Sequence, residues 1–275
     1  MEYQNKTMTK VLAGKRGLVF GIANERSIAW GIAERLAAEG AALALTYQGE
    51  AFAKRVEPLA EKVAAAMTLR CDVSDPISLD QLFEALQAKW GTLDFLVHSI
   101  AYSDKEELKG RFIDTSAANF QNTMQVSCYS FTEMARRVRP LMVEGGGNLI
   151  TLSYLGAERV IPAYNVMGVA KAALEASVKY LATDLGPDGI RVNAISAGPM
   201  RTLAGSAVAA ARQIYRRAEA NAPLRRSVTL EQLGGSALYL LSDLSTGVTG
   251  EVHHVDSGFN IVGLAHRSGD PVQGA

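Results

Sequence analysis

The chain has little that would tie it to a membrane, a nucleic acid or an oxidising compartment. Only two cysteines, Cys71 and Cys128, occur in its 275 residues. They lack metal-ligand spacing, and two buried thiols in a reducing cytoplasm are expected rather than a disulfide. Net charge is absent too. Lys+Arg and Asp+Glu both total 28, so no global field draws the chain toward nucleic acid or lipid headgroups. No apolar run reaches the roughly 18 residues that a spanning helix needs. The opening stretch MEYQNKTMTKVLAGKRG has no apolar segment of the signal-peptide kind, so a secretory signal is not expected. Internal repeats, low-complexity segments and linkers are also missing.

What is present is enough apolar residue for a substantial core: 48% hydrophobic against 20% charged. Short apolar runs alternate with segments of helical spacing. GLVFGIA (17–23), ALALTY (42–47), MTLRCDV (67–73), LDFLVHS (93–99), NLITLSY (148–154) and IRVNAIS (190–196) read as strands, and GEVHHVDSG (250–258) ends the series. Helices are expected over 27–40, 50–66 with a bend at Pro58, 76–91, about 117–142, 164–186 and 229–243. A basic, alanine-rich stretch covers 200–218. This order implies an α/β fold: a single Rossmann-type doubly wound parallel sheet with helices on both faces. One dinucleotide-binding and catalytic domain, 1–275, is the economical reading, with a tail from about 263 to 275.

Ligands of such sheets bind beyond the carboxyl ends of the strands, where strand order reverses. The first such loop, GIANERSIA (21–29), is not a G-x-G-x-x-G sequence. Gly21 permits close backbone approach, and Ser27 opens a helix whose free N–H groups suit a phosphate; a plain turn with an N-cap serine fits as well. Gln48, after the second strand, is neutral and able to bond ribose hydroxyls, which favours NADH over NADPH. Asp72 either accepts from an adenine amino group, with Val73 packed on the ring, or helps to cap the next helix. His98 reads as a satisfied structural histidine.

Tyr164 and Lys171 lie seven residues apart in SYLGAERVIPAYNVMGVAK (153–171). On a helix that offset is nearly two turns, about 10.5 Å along one face. Pro162 places a helix start near Tyr164. A phenol is a weak acid at neutral pH, and a nearby ammonium lowers its pKa, as a proton donor to a developing oxyanion requires. An amphipathic helix with one edge tyrosine and one solvated lysine would show the same spacing.

Taken together, GIANERSIAWGIA, LTYQ, CDV, HSIA, SYLGAERVIPAYNVMGVAKAALE, RVNAISAGPMRTLA and GEVHHVDSGF resemble the short-chain dehydrogenase/reductases. The usual tyrosine–lysine spacing there is four residues. Here position 168 is glycine and the lysine follows three residues later, as in the divergent branch of NADH-dependent enoyl-acyl-carrier-protein reductases of bacterial type II fatty-acid synthesis. The resemblance covers nearly the whole chain and implies the following roles. Tyr164 stands beside the substrate thioester carbonyl, Lys171 bonds the nicotinamide ribose, and Tyr154 is a second active-site tyrosine lining the pocket. Gly21, Ser27, Ile28, Gln48, Asp72, Val73 and Ile100 match NADH contacts. Met200, Arg201, Thr202, Leu203 and Ala204 match the stretch covering nicotinamide and pyrophosphate, with Met200 where isoleucine is common. Ser103 falls at a backbone contact to substrate.

The implied reaction reduces the trans-2 double bond of an enoyl thioester on acyl carrier protein by hydride transfer from NADH. An apolar pocket is expected from Tyr154, Tyr164, Met167, Ile161 and the segment from Met200 to Ala210, with 200–218 as a lid. Arg212, Arg216 and Arg217 either meet the acidic carrier protein or form a solvated face. A cytoplasmic homotetramer is implied by the resemblance alone. Two rivals are a short-chain reductase of ketones or alcohols and a nucleotide-sensing module without turnover. The seven-residue offset opposes the first, and the intact Tyr164 and Lys171 oppose the second.

Overall fold

The structure is a computed structural model that describes residues 10–142, 144–206 and 211–264, with only the backbone of Ala204 and Ser206. Most of the expected tail, part of the expected lid (207–210) and the first nine residues of the stretch read for a signal lie outside the described residues.

In chain order the elements are β1 (Arg16–Val19), α1 (Ile28–Ala38), β2 (Ala42–Tyr47), α2 (Glu50–Lys62), β3 (Met67–Arg70), α3 (Pro76–Lys89), β4 (Phe95–His98) and α4 (Ala117–Met124). A π-helical turn (Gln125–Tyr129) leads into α5 (Ser130–Met142). Then come β5 (Gly147–Ser153), α6 (Val166–Leu185), β6 (Ile190–Ala197), α7 (Leu203–Ser206), α8 (Ala211–Asn221), α9 (Leu230–Leu241) and β7 (Val252–Val255). Among the described residues, seven strands form one sheet in the order β3-β2-β1-β4-β5-β6-β7, and every pairing is parallel. The chain winds one way through β1, β2 and β3, returns beside β1 as β4, and winds the other way. Loops leaving β1 and β4 therefore diverge and open a crevice at their carboxyl ends.

Both faces of the sheet are covered, which explains why its strands are apolar throughout. Leu18 and Leu96 enter the core under α3, α5 and α6, whereas Val19 and Val97 enter the core under α1, α2 and α9. Local chemistry sets several helix starts. Asp75 accepts from the Ile77 N–H at 3.0 Å just ahead of Pro76, and Thr229 with Gln232 makes a reciprocal capping box on α9.

Among the boundaries that differ from the sequence expectation, three have a local cause. The first strand stops at Val19, because the chain turns at Gly21 with φ +94°. The helix expected from 164 begins at Val166, because Ala163 and Asn165 hold φ of 59° and 40°. The helix expected through 117–142 is interrupted by the π-helical turn. There the buried Ser127 hydroxyl donates to the Tyr102 carbonyl at 3.0 Å and accepts from the Tyr102 N–H at 2.9 Å. A distant loop is thereby stitched to the bulge, a use of π turns common near functional sites.

His98 is the structural residue expected. It is fully buried, with Nδ1 2.9 Å from Thr151 Oγ1 and Nε2 2.8 Å from Ser130 Oγ. Ser130 gives its own proton to the Val126 carbonyl at 2.7 Å, so Nε2–H donates to Ser130 and Nδ1 accepts from Thr151. Burial, aided by the Lys171 charge, pushes the imidazole down to about 3. The unfolded chain therefore takes up a proton that the folded one refuses, and stability is lost as pH falls from about 6.5 toward 3. His98→Asn is expected to escape that loss. Denaturant unfolding should show the wild-type advantage shrinking in acid, by at most about 1.4 kcal/mol per pH unit; a pH-independent gap would contradict the assignment.

Candidate active site

The crevice begins at the crossing of two loops. A Cβ at Gly21 would lie 2.0 Å from the Ser99 carbonyl, so only glycine lets the chain leaving β1 pass the chain leaving β4. Ile100 follows Ser99, half-buried against the core. Ser27 occupies the N-cap position of α1 but makes no side-chain cap bond to it. Its buried hydroxyl instead accepts from the Ala23 N–H at 3.0 Å and the Asn24 N–H at 3.1 Å. The turn is wound on Ser27, whose side chain is therefore not spent on capping α1.

At the far side, Gln48 Nε2 donates to Asp72 Oδ2 at 3.0 Å, linking the ends of β2 and β3. Asp72 Oδ1 accepts from the Ser74 N–H at 2.8 Å, and the cap of α3 falls to Asp75. Asp72 is thus a neighbour of the cap, bonded to the turn ahead of α3, while its other oxygen meets Gln48. Val73 is buried with Cys71 and Leu79. Both cysteines are free and buried, and burial pushes the Cys71 thiol up to about 12, which makes it inert.

The tyrosines and the lysine lie along the passage from β5 into α6. Tyr154 and Tyr164 pack edge to face, with ring centroids 5.1 Å apart. Tyr164 sits in the turn before α6, not on it, between the two positive-φ residues. Asn165 anchors that turn, donating to the carbonyls of Leu108 at 3.2 Å and Gly110 at 2.9 Å. Lys171 is 6% exposed, and its Nζ donates to the Leu152 carbonyl at 2.6 Å. Burial brings this ammonium down to about 8. The solvated lysine of the amphipathic alternative is excluded.

One expectation about this pair is corrected. The Tyr164 phenol is not acidified by the ammonium. Burial raises its pKa, and the neighbouring Tyr154 and Glu175 raise it further. Tyr154 is likewise pushed up to about 12, by burial and then by Tyr215. Both are neutral phenols, able to donate rather than to act as phenolates.

Glycines allow a close crossing here. A Cβ at Gly168 would lie 2.9 Å from the Gly156 carbonyl, and one at Gly156 would lie 2.4 Å from the Tyr164 ring. The chain after β5 crosses α6 so closely at 168 that a lysine there would collide with backbone. The charge is accommodated one turn further on.

The remaining expected residues take mixed positions. The Ser103 side chain is occupied by Asn119 and Thr123, with Thr123 donating at 3.0 Å, so only its backbone is left for a ligand. Met200 packs on the α1 side of the core, Arg201 is exposed, and Leu203 opens α7 at 47% exposure. Thr202 Oγ1 accepts from the Gly205 N–H at 2.9 Å, starting α7. Met167, expected in the pocket lining, is instead buried with Leu108 and Val166 beneath Tyr164. The side chain of Ala204 lies outside the described residues.

Sequence reading missed Tyr215, Ser153 and Glu175. Tyr215, on α8, reaches to within 2.6 Å of where a Cβ on Gly205 would lie. The phenol oxygens of Tyr154 and Tyr215 are both buried without a hydrogen-bond partner. Unsatisfied buried hydroxyls in one place mark a site shaped for a further polar group. Together with the uncapped start of α1 and the buried ammonium, this fits a phosphate-bearing dinucleotide with a polar acyl group beside it. Glu175 was legible as the residue four after Lys171; Tyr215 had no signal in its basic surroundings.

The family model described as "Enoyl-(Acyl carrier protein) reductase" matches residues 21–260. Enoyl-[acyl-carrier-protein] reductase [NADH] 1 of Rhizobium meliloti is 61% identical over 254 residues, covering 92% of this chain and 93% of that protein. The crystal structure of the Anaplasma phagocytophilum enoyl-acyl-carrier-protein reductase in complex with NAD aligns with TM-score 0.90 at 56% identity, over 94% of this chain and 98% of that one. The Bacillus cereus enoyl-acyl carrier protein reductase, solved with NADP+ and an indole naphthyridinone, aligns with TM-score 0.90 at 50% identity, over 93% and all of the two chains.

The crossing at Gly168 has a mechanical consequence. Gly168→Ala meets backbone, not a yielding side chain, and is expected to destabilise the fold by about 1–3 kcal/mol in denaturant unfolding. A change near zero would show slack between Gly156 and α6.

Proposed function

The chain belongs to the enoyl-(acyl carrier protein) reductases, and from that premise we propose how its own residues carry the reaction. It is an NADH-dependent enzyme that reduces the trans-2 double bond of enoyl thioesters on acyl carrier protein, in the fatty-acid elongation cycle. When bound, NADH supplies the hydride that reaches the substrate β-carbon. Gly21, Ser27 and Ile28 hold its pyrophosphate at the start of α1, Gln48, Asp72 and Val73 hold the adenosine, and Lys171 bonds the nicotinamide ribose with Ile100 alongside.

Tyr164 donates its O–H to the thioester oxygen as charge develops there. A neutral phenol suits this task, because it gains hydrogen-bond energy as the oxygen becomes anionic and gives little to the neutral ground state. Lys171 adds positive potential from beneath, undamped by water. Tyr154, edge-on to Tyr164, fixes the ring and shapes the acyl pocket with Tyr215. The observation that carries this reading is the buried Lys171 ammonium on the Leu152 carbonyl, just ahead of Tyr154, which packs edge-on against Tyr164 and has its hydroxyl buried and unpartnered.

Met200 to Ala204, with α7 and α8, cover the substrate as a lid. Arg212, Arg216 and Arg217 are exposed on α8 and suit the acidic carrier protein. One domain carries both cofactor and substrate sites, in a cytoplasmic homotetramer; sedimentation tests the assembly.

Two substitutions test the roles. Tyr164→Phe is expected to lower turnover of crotonyl thioester by about ten-fold to a thousand-fold while NADH binding is kept; full activity would reject the donor role. Lys171→Ala is expected to weaken NADH binding in a fluorescence titration by at least about ten-fold; unchanged affinity would remove the ribose contact.

A further inference from the structure

Lys171 and Glu175 clip α6 to β5 through consecutive residues. Lys171 Nζ donates to the Leu152 carbonyl at 2.6 Å, and the buried Ser153 hydroxyl donates to Glu175 Oε1 at 2.5 Å. Residues four apart on a helix are neighbours, so the carboxylate stands one turn from the ammonium. Glu175 is only partly accessible to water, and a half-desolvated carboxylate is costly without a compensating charge. Nothing in the hydride step uses it.

The groups around the pair come from several elements. Glu175 is faced by Glu158, just beyond the 3₁₀ turn Leu155–Ala157, and by His254 of β7. Those two pair with each other at 2.8 Å between His254 Nε2 and Glu158 Oε1. Lys171 is faced by Cys128 of the π-helical turn, by His98 of β4 and by Glu175. Burial keeps the Cys128 thiol and the His98 imidazole neutral at neutral pH. Glu175 is left as the carboxylate acting on Lys171. Burial, with Glu158, pushes the Glu175 carboxyl above its ordinary value, and the Ser153 bond, His254 and Lys171 work against that by favouring its charged form.

We infer that Glu175 is a positioning residue: its carboxylate, held by the Ser153 hydroxyl, keeps the buried Lys171 ammonium charged and seated against β5, ready for the cofactor ribose. The inference rests on the reading of Lys171 as the ribose contact. Glu175 touches neither cofactor nor substrate and acts through Lys171.

The test is the pH dependence of NADH binding, followed by fluorescence titration without substrate. Wild-type affinity is expected to fall as pH rises past about 8. In Glu175→Gln the fall should begin lower, by about half a pH unit or more. Ser153→Ala should shift it the same way by less, and the double variant no further than Glu175→Gln alone. Should Glu175→Gln fail to fold, Ser153→Ala carries the same readout. A uniform loss of affinity with an unshifted profile in these variants would overturn the inference and leave Glu175 a packing residue. Lys171→Ala separates the two claims. If it leaves NADH binding intact, the ribose reading fails; if it weakens binding while the Glu175→Gln profile stays in place, only the role of Glu175 fails.

Discussion

Burying one lysine is the constraint around which this site is arranged. An ammonium taken out of water demands acceptors and opposite charge. Lys171 finds an acceptor in the Leu152 carbonyl at the end of β5 and a carboxylate one turn along α6 in Glu175. The first of these exists only because β5 and α6 pack together, and it seats the charge near the end of the sheet. Burial, aided by the same charge, holds His98 neutral.

Strain accompanies that arrangement. Ala163 and Asn165 adopt left-handed φ values on either side of Tyr164, a conformation that costs about 1–3 kcal/mol per residue outside glycine. Asn165 offsets part of it by donating to the loop carbonyls of Leu108 and Gly110. The phenol is thus displayed from a turn rather than from a helix, and it rests on Gly156 while Gly156 rests on Gly168. Two missing side chains bring the tyrosine-bearing turn close to α6.

Much of the fold was legible because it is written in local patterns. Apolar runs of four to eight residues alternating with helical spacing identify a parallel sheet, and β2 matches its expected bounds at Ala42–Tyr47. The loops proposed for the cofactor were placed by the same topology, at the carboxyl ends of the strands. What escaped was non-local. The π-helical turn exists because Ser127 bonds Tyr102, and no periodicity reports that. Tyr164 looks like the first residue of a helix until the φ values beside it are known. The phenol looked acidified when only Lys171 was considered, whereas burial and Glu175 act the other way. The Ser153–Glu175 bond joins residues on different elements, so spacing could place Glu175 beside Lys171 but not name its partner. Motif resemblance supplied roles that residue chemistry alone left open.

A crystal structure of the chain with NAD+ and a non-reactive enoyl thioester analogue tests the central claim most directly. Lys171 Nζ should lie within hydrogen-bonding distance of the nicotinamide ribose hydroxyls, and the Tyr164 hydroxyl should meet the thioester oxygen above it. A dinucleotide lodged elsewhere, or a Tyr164 hydroxyl turned away from the acyl group, would contradict it.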